Sequence, residues 1–302
     1  MPEAYTHIRT ARAAAAATGV LVPSKAAFEM GANGPDPLFA YRPLTKITEQ
    51  PIKELGSRMH KEHCGAFLTA LVMHAKTDAQ KSYAMGFLSH NALDALMHPY
   101  IAFLTQKGQC YQRAHGHGFF ETALDSQLYK KDYNTRSVEM KDSAPIFITA
   151  ELAEVCELMQ RCIREVFAQE VSVEALADSY HSFHALHRFF AGRTRLRRAV
   201  GALAEVLVFS PGLVRSHMTP AIMEKHLPRA WTNPYTGETF ENEVTDLLQP
   251  ATEISGAFLK SAEAYWQGRI SAVKLARIIG DHSYDTGLAS EEAEAYEVDE
   301  AQ

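Results

Sequence analysis

Histidines that could bind a metal or exchange protons are concentrated in one part of this 302-residue chain. Of its 14 histidines, seven lie between residues 60 and 117, where an even distribution would place about three. They are His60, His63, His74, His90, His98, His115 and His117. Because histidine is the commonest metal ligand and a frequent acid–base group, this concentration predicts a metal or catalytic site.

Two histidine–carboxylate pairs in or next to this stretch have the spacing of one helix face. His90 and Asp94 are four residues apart, and His98 follows after four more. Since each residue of an α-helix turns by about 100°, the three side chains would lie within an arc of about 80°. His117 and Glu121 repeat the spacing. Two such helices that face each other can form a polynuclear metal site inside a helical bundle.

The spacing by itself is a weak signal. With 14 histidines and 36 acidic residues, about two pairs at this spacing are expected by chance, and three occur. The ordinary alternative is an i,i+4 hydrogen bond on a helix surface, which is our interpretation of the third pair, His74 and Asp78. The other two pairs lie in apolar helical sequence, where buried imidazoles and carboxylates need partners that a cation would supply.

Three further candidate ligands precede these pairs along the chain. His7 follows a threonine, Asp36 lies in the sequence Gly-Pro-Asp-Pro, and His60 lies in the sequence Met-His-Lys-Glu. The Gly-Pro-Asp-Pro sequence favours a rigid turn. We therefore expect Asp36 to be held on a loop that can approach a metal bound by the helices.

The ordered series of these motifs resembles the zinc-dependent phospholipase C family. The series is Thr-His, Gly-Pro-Asp-Pro, Met-His-Lys-Glu, His-x-x-x-Asp, His-Pro-Tyr-Ile and His-x-x-x-Glu. That family shares its fold with the fungal single-strand-specific zinc nucleases. The resemblance is strongest to bacterial members without a signal peptide, and segments 230–238 and 278–288 also look like that branch. It implies an all-α, single-domain multi-helix bundle over residues 1–288.

The resemblance also implies a site for several zinc ions. The first ion would be bound by His60, His90, Asp94 and Asp36. The second would be bound by His98, His117 and Glu121, with one coordination position left for water. Asp94 would bridge to a third ion bound by His7.

Two departures from the family pattern leave the number of zinc ions open at two or three. The secreted enzymes bind the third zinc with an amino-terminal tryptophan, and no tryptophan lies near the start of this chain. The interval between Asp94 and His98 is also shorter than in those enzymes, which leaves the role of His98 open.

The implied activity is phospholipase C-like hydrolysis of a phosphodiester by metal-activated water. Zinc accepts imidazole and carboxylate ligands, and a catalytic zinc site keeps a position open for water. Asp36 is the candidate catalytic residue, as a general base or a water-orienting group. The expected substrate is a phosphoester small molecule or a phospholipid. Two alternatives stay open: a nuclease or nucleotidase on the same fold, and a non-catalytic helical protein that metal stabilises.

Composition narrows the possible partners and the location. The chain has 30 basic and 36 acidic residues, a net charge of −6 that argues against a stable nucleic-acid partner. Six of the acids lie in residues 289–302, which we expect to form a disordered tail. No apolar run is long enough for a membrane span, so at most peripheral membrane contact is expected. The absence of a recognisable secretion signal and of paired cysteine motifs predicts a cytoplasmic protein.

Apolar residues recur with helical periodicity through most of the chain, and strand-like alternation is absent. The predicted helices span residues 52–75, 79–104, 119–130, 145–169, 173–190, 195–209, 242–267 and 272–279.

Several conspicuous residues receive ordinary interpretations. We interpret His63 as a supporting or surface residue, and the histidines of the row 181–187 as packing residues of their helix. The arginines between Arg188 and Arg198 are interpreted as a solvated helix end, with contact to a phosphate-bearing substrate or an anionic lipid as the alternative. Tyr284 is a conjectural pocket residue.

Overall fold

Helices form nearly all of the regular structure in a computed structural model that describes residues 4–43, 45, 50–145, 149–191, 195–207 and 210–289. In these residues the α-helices are α1 (Ala4–Thr18), α2 (Lys25–Gly31), α3 (Pro51–Met59), α4 (Cys64–His74), α5 (Asp78–Thr105), α6 (Gly116–Tyr133), α7 (Thr149–Phe167), α8 (Val173–Phe190), α9 (Arg195–Leu207), α10 (Leu248–Trp266) and α11 (Ala272–Ile279). The all-α prediction is confirmed. None of the described helices combines the length and apolar character needed to cross a bilayer. The predicted acidic tail, from residue 290 onward, lies outside the described residues.

The structure differs from the predicted helices in four main places. The helix predicted over residues 242–267 begins later, at Leu248, after the short 3₁₀ helix Val244–Leu247. The predicted helix 52–75 is two helices, because the chain turns at His63, whose φ of 54° is left-handed. Helices α1 and α2 are additional, and the alanine-rich sequence of α1 gives little periodic signal. A small hairpin pairs β1 (Ala230–Thr232) with β2 (Thr239–Glu241), and three-residue strands are too short to show alternation.

Helix α5 is the longest helix of the described structure and carries three predicted ligands. It begins at a capping box, in which the Thr77 hydroxyl accepts the backbone N–H of Gln80 and the Gln80 side-chain oxygen accepts the backbone N–H of Thr77. Helices α1, α2, α4, α6, α7 and α10 all contact α5. Because neighbours surround it, polar side chains such as His90 and Asp94 are buried rather than solvated.

Two glycines let α2 and α5 cross with their backbones in contact. A Cβ atom at Gly31 would lie 2.2 Å from the carbonyl oxygen of Tyr83, and one at Gly86 would lie 2.1 Å from that of Phe28. A side chain at either position would therefore push the helices apart. This close crossing brings the segment after α2, which carries Asp36, against the middle of α5.

A buried carboxylate on α6 fixes the start of α1. Asp125 accepts the backbone N–H groups of Tyr5 at 3.1 Å and Thr6 at 2.7 Å. The first N–H groups of a helix have no partner within the helix, so Asp125 caps α1 from a distant part of the chain. Burial raises the pKa of Asp125 to about 7. The contact places His7, one residue further on, beside the ligands of α5 and α6.

Candidate metal centre

All eight predicted ligands lie where α1, α5 and α6 meet the end of α3 and the segment after α2. Their potential ligand atoms form three groups, with the atoms of each group within 4.8 Å of one another. The groups are His7–His90–Asp94, Asp36–His60–His90 and His98–His117–Glu121. Asp94 groups with His7 as expected, but His90 joins this group as well, and Asp94 does not group with Asp36 and His60.

Asp94 lies at the centre of the cluster. Its Oδ2 atom is 2.8 Å from His90 Nε2, and its Oδ1 atom is 3.2 Å from His7 Nε2 and 3.5 Å from His98 Nε2. Only 5 % of the Asp94 side chain is exposed. The i,i+4 spacing along α5 and the placement of α1 thus direct three imidazoles at one buried carboxylate.

The ring orientation of two histidines is fixed by backbone carbonyl groups. His60 Nδ1 lies 2.7 Å from the Gly56 carbonyl oxygen, and His90 Nδ1 lies 3.1 Å from that of Ala32. Since a carbonyl can only accept, each Nδ1 donates its N–H, and each neutral ring keeps the lone pair on Nε2. His60 Nε2 faces Asp36 Oδ1 at 3.4 Å, and His90 Nε2 faces Asp94. A neutral ring thus places a lone pair opposite a carboxylate oxygen, and a proton or a metal ion between the two atoms would stabilise the pair.

The third group lies at the open edge of the cluster. His117 Nε2 is 2.6 Å from Glu121 Oε1, and His98 Nε2 is 3.7 Å from the same oxygen. Since His98 is also close to Asp94, it connects the third group to the first. The His117 side chain is 47 % exposed, whereas that of His90 is fully buried. A substrate would therefore reach the cluster from the His117 side.

The electrostatics of the cluster follow from its alternation of imidazoles and carboxylates. Burial opposes ionisation of Asp94, but the charges of His90, His98 and His7 hold its pKa well below the usual value. Burial likewise opposes protonation of His98, but the neighbouring carboxylates raise its pKa well above normal. For His90, burial and the charge of His7 lower the pKa despite Asp94. Carboxylate charge thus stabilises a positive charge in this buried volume, and metal ions compete with protons for such positions.

The donor atoms fit zinc. The cluster offers only imidazole nitrogens and carboxylate oxygens, which are the zinc ligands of catalytic sites. His7 Nδ1 is buried and lacks a hydrogen-bond partner among the described residues, and the buried His90 Nε2 lies 2.8 Å from Asp94 without the geometry of a hydrogen bond. Buried polar atoms are nearly always satisfied, so orphaned nitrogens beside carboxylates are best explained by a bound cation.

The carboxyl-terminal loop contributes Asp285, which the sequence did not identify as part of the site, and Tyr284, the conjectural pocket residue. Asp285 Oδ1 lies 3.4 Å from His98 Nδ1, on the side of the ring opposite Asp94. Tyr284 is buried with its ring 5.3 Å from that of His60 and 5.6 Å from that of His90. The loop is held because Tyr284 donates its backbone N–H to the His60 carbonyl. No spacing rule links residues so distant in sequence, although the Asp-Thr-Gly turn marks the loop.

We expect Asp285→Asn to weaken zinc binding about 10- to 100-fold, because a carboxylate behind a ligand histidine fixes the ring and increases its basicity. Competition with a chromophoric chelator measures the affinity. Asp281→Asn is the matched control, since that carboxylate of the same loop accepts the backbone N–H of Gly65 at 2.7 Å. Equal losses of affinity in the two variants would attribute the effect to docking of the loop and not to the carboxylate behind His98.

Other histidines lie outside the cluster. His63 is exposed, with its ring 5.9 Å from that of Phe167. The prediction for His74 is wrong: it ends α4, Asp78 begins α5, and His74 Nε2 instead contacts Glu165 at 2.6 Å. In the row on α8, His184 bonds the Ala144 carbonyl, and His187 is buried 4.2 Å from the Phe183 ring.

The buried His187 is expected to make the free energy of unfolding fall in acid. Burial lowers its pKa from 6.5 to about 3. Because the unfolded chain binds this proton more readily, the stabilisation from neutral His187 is complete above pH 6.5 and is lost as the pH falls towards 3. We expect the free energy of unfolding of His187→Phe, measured by urea denaturation with a chelator present, to fall less between pH 6.5 and 4.5 than that of the unsubstituted chain. Parallel pH curves would contradict this assignment.

Comparison with known proteins agrees with the geometry. The family model described as zinc dependent phospholipase C matches residues 6–175, a range that contains all eight predicted ligands. No curated protein and no solved structure matches the chain. The family model spans more than half of the sequence, and the chain therefore belongs to the zinc dependent phospholipase C family.

Proposed function

We propose that this protein is a zinc-dependent phosphoric ester hydrolase that cleaves a phosphodiester in the manner of a phospholipase C. The observation that carries the proposal is the orientation of His60 and His90. Each donates Nδ1–H to a backbone carbonyl and directs Nε2 at a carboxylate oxygen. Family membership supports the hydrolase assignment, and the cluster supports zinc as the ion.

Three sets of residues would hold zinc, according to the groups that the structure brings together. The buried sets share His90, and the third set, with His117, lies at the open edge. Zinc bound in these sets would act as a Lewis acid towards phosphoryl oxygens and would make water a nucleophile near neutral pH. We propose that two or three of these sets are filled.

Asp36 is the residue that we propose for handling the attacking water. Its carboxylate begins the short 3₁₀ helix Asp36–Ala40, with Pro37 directly after it, so the backbone holds it rigidly. The Asp36 side chain retains 12 % exposure, more than that of Asp94. A carboxylate at this position can accept a hydrogen bond from water and orient its lone pair towards phosphorus.

A comparison of three substrates tests the proposed reaction. One preparation is assayed on phosphatidylcholine vesicles, on single-stranded DNA and on p-nitrophenyl phosphate, with and without a chelator. We expect the fastest chelator-sensitive hydrolysis with phosphatidylcholine. Faster cleavage of DNA would favour the nuclease alternative, and hydrolysis of none of the three would favour a metal-stabilised, non-catalytic protein. The cytoplasmic location and the division at residue 288 stay predictions.

A further inference from the structure

Helix α9 exposes an apolar stripe to solvent. Its members are Leu196, Val200, Leu203 and Val206, with exposures of 73, 46, 62 and 67 %. At about 100° per residue these four side chains fall within an arc of about 120°. Single exposed apolar residues are common on protein surfaces, but a continuous stripe along one helix face marks a contact surface.

The helix attaches to the rest of the protein by its opposite face. Glu205 is buried, accepts the backbone N–H groups of Val214 and Arg215, and pairs with the Arg215 side chain at 2.8 Å. On the same side, a Cβ atom at Gly201 would lie 3.1 Å from Val214. Amphipathic helices of globular proteins normally bury their apolar face. Here a glycine and a carboxylate face the protein, and the leucines and valines face outward.

The surroundings of α9 are strongly basic. Residues 188–222 contain six arginines and one glutamate, whereas the whole chain has a net charge of −6. The single glutamate is the buried Glu205, which is already paired with Arg215. Arg188 and Arg198 are exposed, and the half-buried Arg197 lies about 60° from Val200 around the helix. An apolar stripe on an arginine-rich segment is the pattern of a helix that lies in the interface of an anionic membrane.

The segment after α9 leads directly to the open edge of the metal centre. Ser210 Oγ lies 2.9 Å from His115 Nε2, two residues before His117. The Ser216 carbonyl accepts from the Thr122 hydroxyl at 2.6 Å, next to Glu121. A surface that held α9 would therefore lie beside the entrance to the site.

We propose that α9 docks in the headgroup region of a bilayer containing anionic lipid and so places the metal centre against phospholipid substrate. The docking stands on the geometry and charge of α9, and only its role in catalysis rests on the proposed function. With 13 residues, α9 suits an in-plane position and is too short to span the bilayer.

Two other possible partners fit the apolar face of α9 less well than a lipid surface does. A second copy of the chain would bring two arginine-rich surfaces together, which like-charge repulsion opposes. The acidic carboxyl-terminal sequence 290–302 offers charge complementarity, but Tyr296 and Val298 are its only large apolar residues. An anionic lipid interface would accept both the apolar stripe and the basic segment around it.

Vesicle flotation of the metal-loaded full chain tests the docking. The vesicles contain phosphatidylcholine with or without about one third phosphatidylglycerol, an anionic lipid. The double variant L196Q/L203Q is compared with Val273→Gln, which makes a similar change at a 70 % exposed position on α11. We expect the double variant to bind anionic vesicles at least about tenfold more weakly, and the control to bind normally.

Each outcome distinguishes the docking from the reaction. Normal hydrolysis of a water-soluble phosphodiester by L196Q/L203Q, with slower hydrolysis of anionic vesicles, would support the proposal. Equal vesicle binding by both variants and the unsubstituted chain, or a dimer that only the double variant disrupts, would overturn it. Vesicle binding that depends on α9 in a protein without hydrolytic activity would preserve the docking and refute the proposed function.

Discussion

Asp94→Asn is expected to lower kcat/KM for a phosphodiester about a thousandfold or more and to release zinc at the same time. Asp94 lies within 3.5 Å of three histidine Nε2 atoms, so its charge is shared by two groups of predicted ligands. Loss of the Lewis acid removes several kcal/mol of transition-state stabilisation, and each 1.4 kcal/mol corresponds to about tenfold in rate. Zinc content by mass spectrometry and steady-state kinetics on the same samples measure both effects.

A matched control separates loss of metal from loss of stability. Asp142 is also buried, and it pairs with Arg12 at 2.9 Å and accepts from the Tyr129 hydroxyl at 3.0 Å. Asp142→Asn is expected to lower the thermal midpoint while keeping its zinc, because breaking a buried ion pair destabilises the fold wherever it lies. Full zinc content in Asp94→Asn, or equal zinc loss in both variants, would contradict the assigned role of Asp94.

Gly34→Ala is expected to damage the metal centre although no atom of Gly34 binds metal. A Cβ atom at this position would lie 2.3 Å from Cδ2 of the His90 ring, and the backbone φ of 52° is left-handed. The methyl group must displace the ring that two of the ligand groups share. We expect at least a tenfold loss of zinc affinity, comparable to that of other changes that disturb ligand orientation.

Gly19→Ala isolates the steric part of this effect. Gly19 also has a left-handed φ, of 68°, but a Cβ atom there would meet no atom within 4 Å. Both variants carry the backbone strain of a non-glycine residue at positive φ, about 1 kcal/mol. Only Gly34→Ala should change zinc affinity. Similar zinc affinities in the two variants would show that the His90 ring can move without consequence.

The candidate site could be anticipated where its ligands follow local rules. The i,i+4 spacing of His90, Asp94 and His98 depends only on helix geometry, and α5 does place all three on one side. The family resemblance identified the ligands that lie on other elements, such as His7. The grouping of ligand atoms was less predictable, because it depends on how α1 crosses α5 and on the Asp125 cap that fixes α1.

Long-range contacts account for what the sequence could not reveal. Asp285 approaches His98 only because the carboxyl-terminal loop binds the His60 backbone. The spacing pairs His74 with Asp78, but α4 ends between them and His74 contacts Glu165 instead. In α9 the helix was predictable, whereas its outward-facing leucines and valines become evident only once the buried position of Glu205 is known.

Zinc content of the purified, unsubstituted protein tests the central claim most directly. The account predicts two or three zinc ions per chain by inductively coupled plasma mass spectrometry, since three groups of ligand atoms are present and two of them share His90. Loss of these ions on dialysis against a chelator should abolish phosphodiester hydrolysis, and added zinc should restore it. A protein that contains no zinc and binds none on titration would contradict the account.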